Sequence, residues 1–280
     1  MKNLGYYNGA YGRIEDIYVP MTDRACYFGD GVYDATYSRN HIPFALEEHV
    51  DRLFLSASLI DIAIPYSKEE LCSIIRRMTK KVDSGENFVY FQISRGQQIR
   101  DHVFDKNIKP SLWIIIKEAE IKDLTKSVSA ITLEDKRFFY CNIKTLNLLP
   151  SIFYANQADS MGCYEAILHR DGIVTECAHS NVGLIIDGKF VTPKADNLIL
   201  SGIARAHIIA ACKKLGVEVL ERTVYKEELF TSDEVIICSA GSLCLRVSVI
   251  DGINVGGKNF ELLSTLQNML LEEFWEGTQE

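Results

Sequence analysis

Short segments rich in β-branched and aromatic residues alternate with amphipathic segments along the whole chain, and this alternation restricts the possible fold most. The predicted strands cover residues 33–38, 88–94, 112–116, 128–133, 164–169, 182–186, 217–221, 234–238 and 245–250. The predicted helices cover residues 46–60, a segment that starts after Ser67, and residues 151–161, 202–215 and 259–275. Because both halves mix strands with helices, we predict an α/β or α+β fold rather than a helical bundle or a β-sandwich.

Two of these helices carry boundary signals. Ser67, followed three residues later by Glu70, has the pattern of a capping box. For the helix at 202–215, Ser201 is the predicted N-cap and Gly216 the predicted stop. These residues set expected end points for both helices.

A polar link lies near the middle of the chain. Residues 117–127 contain six charged side chains. At about 150 residues per domain, a chain of 280 residues suggests two domains. We therefore predict an N-terminal domain of residues 1–120 and a C-terminal domain of residues 121–280.

Composition disfavours several classes of protein. The net charge is −8 and the basic residues are scattered, so nucleic acid is not an expected partner. The longest uncharged stretch, residues 145–158, has 14 residues, fewer than the roughly 20 that a membrane span needs. Residues 1–13 lack the apolar run of a signal peptide.

The eight cysteines show no metal-binding spacing. None forms Cys-x-x-Cys, and six of the eight lie in apolar runs. That placement is typical of reduced core cysteines. We therefore expect a cytoplasmic protein without a metal site.

Lys144 is the only charged residue between Arg137 and Asp159. A lysine in such surroundings either extends its ammonium group into water or is desolvated. Desolvation favours the neutral amine, which attacks carbonyl groups to form Schiff bases. From this context alone, the solvated arrangement is the more common one.

Three further groups of residues could bind ligands. Glu176 ends an apolar strand, where it could face a pocket or cap the next loop. Arg100 and His102 follow a strand and could grip a carboxylate, or lie in a solvated loop beside Asp101. Arg52 could bind phosphate or pair with Glu48 one helical turn earlier.

Backbone amides offer a second type of anion site. Residues 201–205 open a helix whose first N–H groups lack partners within the helix, and such N-termini bind phosphate. The small residues Gly241 and Ser242 follow a strand and could also offer amides.

Six segments, taken in order, resemble the fold-type IV aminotransferases that use pyridoxal 5′-phosphate, and most closely those acting on D-amino acids such as D-alanine. The segments are FGDGVYDATY, EEHVDRL, YFQISRG followed by Arg-x-His, NIKTLNLL, GCYEAILHRDGIVTECAHSNV and LSGIAR. The resemblance covers essentially the whole chain, from about Tyr7 to Phe274.

The resemblance implies a small N-terminal α/β domain, and a larger C-terminal pseudo-barrel domain that carries the cofactor lysine. The cofactor would lie in the cleft between them, in a homodimer whose active site is shared by both subunits. Amino acids and 2-oxo acids would be the substrates. A D-amino acid would pass its amino group, by way of the cofactor, to a 2-oxo acid such as 2-oxoglutarate or pyruvate.

The resemblance also assigns roles to residues. Lys144 matches the catalytic lysine that binds the cofactor covalently and later moves the proton. Glu176 matches the carboxylate at the pyridine nitrogen, where a retained proton makes the ring an electron sink. Arg52 matches the phosphate-binding arginine, with amides from Ile203, Ala204 and Ala240. The residues that match the substrate-binding positions are Tyr33, Tyr90, Arg100 and His102, the last two reaching in from the neighbouring subunit.

Some positions depart from the family pattern. Ala204 and Ala240 stand where the family usually has hydroxyl side chains at the phosphate, so we expect weaker cofactor retention. His179 replaces a serine in the loop after Glu176, where it either joins the network around the cofactor or fills space. The alternatives that remain are a branched-chain aminotransferase, an aminodeoxychorismate lyase, and a relative that has lost catalysis. Arg100 and His102 argue against the first two.

Overall fold

The computed structural model describes residues 1–279, which form two compact units. The first unit contains Met1–Glu120, the short segment Ile143–Asn147 and the chain from Phe274 onward. The second contains Ile121–Asn142 and Leu148–Glu273. Lys144 therefore packs with the first unit, although it lies beyond residue 120 in the sequence. The predicted domain boundary at residue 120 stays a prediction.

The first unit contains one antiparallel sheet. Its strands are β1 (Asn3–Tyr7), β2 (Ala10–Gly12), β3 (Gly31–Arg39), β4 (Ile42–Pro43), β5 (Asn87–Ser94) and β6 (Ser111–Glu118). They are ordered β2-β1-β6-β5-β3-β4. This order places β3 beside β5, with Tyr33 opposite Gln92 and Ala35 opposite Tyr90.

The helices of the first unit are α1 (Arg24–Phe28), α2 (Leu46–Ser58) and α3 (Lys68–Thr79). The longer two confirm the predicted helices, because their periodic apolar side chains pack against the sheet in one core. The capping box is also confirmed. The Glu70 N–H donates to Ser67 Oγ at 3.1 Å, and the Ser67 N–H donates to the Glu70 carboxylate at 2.7 Å.

Strand β3 has two chemically different faces. Val32, Asp34 and Thr36 are buried toward the helices, while Tyr33 and Tyr37 are half-buried on the opposite face. Because successive side chains of a strand alternate between faces, the neighbours Tyr33 and Asp34 serve different surroundings. This alternation governs the candidate site of the first unit.

The second unit contains a mixed sheet of nine strands. They are β7 (Ser127–Glu134), β8 (Glu165–Arg170), β9 (Ile173–Cys177), β10 (Asn181–Ile186), β11 (Lys189–Thr192), β12 (Val219–Glu221), β13 (Glu234–Cys238), β14 (Leu245–Ile250) and β15 (Ile253–Asn254). The order is β12-β11-β10-β13-β14-β7-β8-β9, with β15 on β14. Strand β7 is parallel to both of its neighbours. The α/β fold class predicted from the sequence is thus confirmed.

The helices after residue 120 are α4 (Leu149–Ser160), α5 (Ile203–Lys214), α6 (Glu228–Thr231) and α7 (Phe260–Glu276). The prediction of Ser201 as the N-cap of α5 is wrong, because Gly202 occupies that position. A Cβ atom at residue 202 would lie 1.9 Å from Asn181 Oδ1, so a side chain does not fit there. Gly216 follows the helix with φ +71°, as its predicted stop requires.

Within residues 1–279, no helix is both long and apolar enough to span a membrane. The same residues contain no cluster of three or more His, Cys, Asp or Glu side chains able to hold a metal ion.

Candidate active site

Lys144 lies beside β3 at the edge of the first sheet, and its side chain reaches the ring of Tyr33 on the aromatic face. Its backbone is fixed from two sides, because its carbonyl accepts from the Tyr33 N–H at 2.9 Å and its N–H donates to Ser56 Oγ of α2 at 3.2 Å. Its Nζ lies 4.5 Å from the centre of the Tyr33 ring. A ring face attracts an ammonium group without accepting a proton from it. The amine is therefore placed on an apolar surface beside β3.

A row of aromatic rings continues from Tyr33 along this face. Tyr33 stacks on Tyr90 with ring centres 5.4 Å apart, and Tyr90 lies beside Phe88 at 6.4 Å. Burial raises the pKa of Tyr90, whose hydroxyl donates to Gln92 Oε1 at 2.7 Å. Three residues predicted for one site, namely Lys144, Tyr33 and Tyr90, are thus brought together.

Arg52 belongs to a buried cluster on the other face of β3. Its Nε and Nη2 donate to the two oxygens of Asp34, each at 2.8 Å, and Nδ1 of His49 lies 2.7 Å from the same carboxylate. Burial opposes the ionisation of Asp34, but Arg52 outweighs it and holds the pKa of Asp34 well below its usual range. Burial lowers the pKa of His49, so its neutral ring donates to Asp34. The cluster fixes the guanidinium of Arg52.

Arg100 and His102 lie on the exposed loop between β5 and β6. The Arg100 guanidinium lies 5.0 Å from the centre of the Phe28 ring, and the His102 ring centre lies 5.2 Å from it. The two side chains therefore meet at a shared aromatic ring, that of Phe28.

Glu176 ends strand β9 and is buried. Arg137 Nη1 donates to one carboxylate oxygen at 2.6 Å, while Asn181 Nδ2 and the Leu200 N–H donate to the other at 3.0 Å each. Hydrogen bonds to a carboxylate favour its ionised form. Three donors thus orient the carboxylate and favour its anionic form. A carboxylate that only capped the next loop would not need all three.

Arg137 joins Glu176 to a second buried carboxylate. Its Nε and Nη2 donate to the two oxygens of Asp135 at 3.0 Å each. Although burial acts against the charge, Asp135 and Glu176 raise the pKa of Arg137. Burial also opposes ionisation of Asp135, but Arg137 lowers the pKa of that carboxyl. Arg170 Nε also contacts Asp135 at 3.3 Å, so two guanidinium groups lie against the two buried carboxylates.

The start of α5 is tied to Glu176 through Asn181. The amide of Asn181 donates both to Glu176 and to the Leu200 carbonyl, and its oxygen packs where Gly202 begins the helix. The N–H groups of Ile203 and Ala204 therefore open the helix at a fixed distance from the carboxylate. Their amides can bind an anion without a side-chain hydroxyl.

Ala240 lies in a tight turn that follows β13. The Leu243 N–H donates to the Ser239 carbonyl at 2.8 Å, and the Ser239 and Ser242 hydroxyls lie 2.8 Å apart. Those two hydroxyls bond to each other, so the turn offers backbone amides rather than the missing side-chain hydroxyl. This is the arrangement expected from the alanine at position 240.

His179 lies in the turn between β9 and β10 and pairs with Glu165. Glu165 is fully buried and also accepts from the Ala178 N–H at 3.2 Å and from Ser180 Oγ at 2.7 Å. The imidazole is about half exposed. His179 thus helps to hold the turn that follows Glu176.

Sequence reasoning missed the partners that position these residues: Asp34, His49, Asp135, Arg137, Glu165 and Asn181. A signal existed for Asp34, which is a lone carboxylate inside the strand sequence VYDATY. Arg137 gave no such signal, because it follows Asp135 and Lys136 in what reads as a solvated turn. Which carboxylates an arginine joins depends on strand packing and not on spacing.

Comparison with known proteins identifies the family. The sequence model described as amino-transferase class IV matches residues 31–250. The chain belongs to the class IV aminotransferases. The matched stretch includes every candidate residue, from Tyr33 to Ala240. This class IV aminotransferase is 39% identical to the D-alanine aminotransferase of Listeria monocytogenes over 265 residues, which is 92% of each chain.

Further relatives agree with that assignment. The D-alanine aminotransferase of Bacillus licheniformis is 35% identical to this class IV aminotransferase over 277 residues, or 95% of this chain and 97% of the relative. Among solved structures, the branched-chain aminotransferase of Escherichia coli has a TM-score of 0.89 at 24% identity, covering 100% and 97% of the two chains. A T.th. branched-chain aminotransferase with pyridoxamine 5′-phosphate has a TM-score of 0.87 at 23% identity, covering 98% and 96%. These structures confirm the predicted fold-type IV architecture.

Proposed function

We propose that this aminotransferase uses pyridoxal 5′-phosphate to transfer the amino group of a D-amino acid such as D-alanine to a 2-oxo acid such as 2-oxoglutarate or pyruvate. The observation that carries the proposal is the 39% identity to a D-alanine aminotransferase over 92% of both chains. Arg100 and His102, gathered on the Phe28 ring, support it as the pair that would bind the substrate carboxylate.

The donor set fits this cofactor. The aldehyde of the cofactor needs an amine, and its pyridine nitrogen needs a carboxylate. Its phosphate needs a cation and backbone amides. Lys144 would supply the amine and Arg52 the guanidinium. Glu176 would supply the carboxylate, and the N–H groups that open α5 would supply the amides. Close packing against Asn181 excludes a side chain at Gly202. The N–H groups at the start of α5 are therefore not covered by a side chain at residue 202.

The chemistry then divides between the cofactor and the protein. Bound pyridoxal phosphate withdraws the electron pair left at the substrate α-carbon and carries the amino group. With the cofactor bound, the Nζ of Lys144 would take up the α-proton of the substrate and give it back. Glu176, which accepts a hydrogen bond from Arg137, would face the pyridine nitrogen. Arg52 and the amides of α5 would bind the phosphate.

We expect the purified protein to transaminate D-alanine with 2-oxoglutarate, because Arg100 and His102 would bind the carboxylate of a D-amino acid. The test is a steady-state assay with D-alanine, L-alanine and L-leucine as amino donors. Turnover with D-alanine alone supports the proposal. Turnover with L-leucine alone would move the enzyme to the branched-chain group, and no turnover with any donor would favour the relative that has lost catalysis.

We also propose a cytoplasmic homodimer in which Arg100 and His102 serve the neighbouring subunit. All eight cysteines, which lie within residues 1–279, are free thiols, as a reducing compartment requires. On the loop that carries Arg100 and His102, the apolar side chains of Ile99 and Val103 are 77% and 76% exposed. Burying such side chains against a second copy would stabilise a dimer.

Hybrid dimers test whether the site is shared. The Lys144→Ala variant keeps Arg100 and His102, while an Arg100→Ala/His102→Ala variant keeps the lysine. If residues from both subunits form each site, unfolding and refolding the two inactive proteins together restores one functional site per hybrid dimer. Mixtures that stay inactive while hybrid dimers are detected by mass spectrometry would contradict a shared site.

A further inference from the structure

Two buried arginines lie beneath the loop that carries Arg100 and His102. Arg24 and Arg95 are 3% and 6% exposed, and both contact the Asp30 carboxylate, with Nε–O distances of 2.7 and 2.9 Å. Two guanidinium groups on one carboxylate leave a positive charge in excess. Burying such a charge is costly unless other acceptors complete its hydrogen bonds.

Arg24 completes its hydrogen bonds on the loop. Its Nη1 donates to the Asp101 carbonyl at 2.6 Å, and its Nη2 forms a longer bond of 3.4 Å to the His102 carbonyl. Arg95 instead donates to the carbonyls of Ile60 and Asp61 at the end of α2. Of the two arginines, therefore, only Arg24 bonds to the backbone between Arg100 and His102.

The rest of the loop is closed by its own polar groups. The Gln98 side chain donates to the Val103 carbonyl and accepts from the Asp105 N–H, each at 3.0 Å. At the base of the loop, a Cβ atom at Gly96 would lie 2.0 Å from the Lys109 carbonyl oxygen, so the two ends of the loop approach too closely for a side chain at residue 96.

Phe28 links Arg24 to the two exposed residues. The guanidinium groups of Arg24 and Arg100 lie 4.9 and 5.0 Å from the centre of its ring, and the His102 ring centre lies 5.2 Å away. Arg24 thus holds the loop in two ways. It donates to the carbonyls of Asp101 and His102, and it shares the Phe28 ring with the side chains of Arg100 and His102.

We propose that Arg24 is the positioning residue of the substrate-carboxylate site: it holds the backbone at residues 101–102 so that Arg100 and His102 present their donors in one orientation. This inference rests on the proposed function. It does not require Arg24 to touch the substrate, because its guanidinium is buried and fully directed at Asp30 and the loop.

The test compares Arg24→Met with the wild type on D-alanine. Losing charge-assisted bonds to the loop should raise KM about tenfold or more, because each is among the stronger hydrogen bonds in proteins. The value of kcat should change less than about threefold, since Lys144 and Glu176 are untouched. The dissociation constant of D-lactate, a non-reacting carboxylate, should rise in parallel with KM, while the absorbance of the bound cofactor stays unchanged.

Two further variants separate positioning from folding. Arg24→Lys keeps the charge but cannot bond to Asp30 and two carbonyls together, so it should restore only part of the affinity. Phe28→Leu keeps apolar bulk and removes the ring, and should raise KM about threefold through loss of cation–π contacts. If Arg24→Met does not fold, this variant provides the test. Lys106→Ala removes a positive charge from the same loop and should leave KM unchanged.

The outcomes distinguish the two claims. A wild-type protein that does not transaminate D-alanine contradicts the proposed function. A wild-type enzyme that does, together with folded Arg24→Met and Phe28→Leu variants whose KM and D-lactate affinity match it, overturns the role of Arg24. Equal losses in kcat and kcat/KM, without a change in carboxylate affinity, would also overturn it.

Discussion

Replacing Lys144 with alanine is expected to lower kcat for D-alanine transamination by about a thousandfold or more, since in the proposed function this amine binds the cofactor and carries the proton. The Lys144 segment is held by backbone bonds to Tyr33 and Ser56, neither of which involves the amine. Removing the side chain should therefore leave the segment in place. We expect a folded protein that has lost its chemistry.

The measurement combines kinetics with chemical trapping. Treating the wild type with cofactor and then borohydride should add one cofactor mass to the peptide that contains Lys144, and the variant should gain none. Lys122→Ala is the matched control, because the Nζ of Lys122 also lies over a tyrosine ring, 5.5 Å from the centre of Tyr164. Trapping on another lysine of the wild type would contradict the assignment.

Replacing Asp34 with asparagine is expected to lower the free energy of unfolding by about 3–5 kcal/mol, the usual cost of removing one partner of a buried ion pair. Asp34 is fully buried and accepts two bonds from Arg52 and one from His49. The asparagine amide is neutral and cannot balance the charge of the Arg52 guanidinium. Its NH2 group would also replace one carboxylate oxygen, so an N–H donor would face another N–H donor. Arg52 should then move, and cofactor affinity should fall as well.

Urea denaturation measures the loss, with Asp51→Asn as the control. Asp51 is on the same helix as Arg52 and pairs with Lys68 at 2.6 Å, but both side chains are about half exposed. Such a surface pair contributes at most about 1 kcal/mol. Equal effects of the two substitutions would show that Asp34 and Arg52 do not form the pair described.

The same cluster predicts how stability depends on pH. The pKa of Asp34 is lower in the folded protein, so its stabilisation is complete above the unfolded value of about 3.9 and is lost as the pH falls below it. The pKa of His49 is also lowered, so the unfolded chain binds a proton more readily below about pH 6.5, which again reduces stability toward acid. The Asp34→Asn variant should lose the first of these components.

The helices could be predicted well because their signals are local. The apolar periodicity after Leu46 and the Ser67–Glu70 box require only neighbouring residues, and α2 and α3 follow them closely. Strand β11 was not predicted, although the Asp187–Gly188 turn with positive φ at both residues is a hairpin signal. Its four residues are too few to show a period of their own.

The order of the strands could not be predicted. Strand β7 pairs with β14, more than a hundred residues later in the chain, and no local pattern marks such a pair. The bond between Arg137 and Glu176 also depends on strand packing, because β9, which carries Glu176, joins β7 through β8. Resemblance to a family selects Lys144, Glu176 and Arg52 as site residues, which stays a prediction, and among the partners that hold them only Asp34 carried a local signal.

The most direct test of the account is a half-reaction monitored by absorbance. The protein is loaded with pyridoxal phosphate, freed of excess cofactor and mixed with D-alanine without any 2-oxo acid. We predict that the bound cofactor converts to its pyridoxamine form, that pyruvate appears in equal amount, and that L-alanine causes neither change. A spectrum that D-alanine leaves unchanged, or one that responds only to L-amino acids, would contradict it.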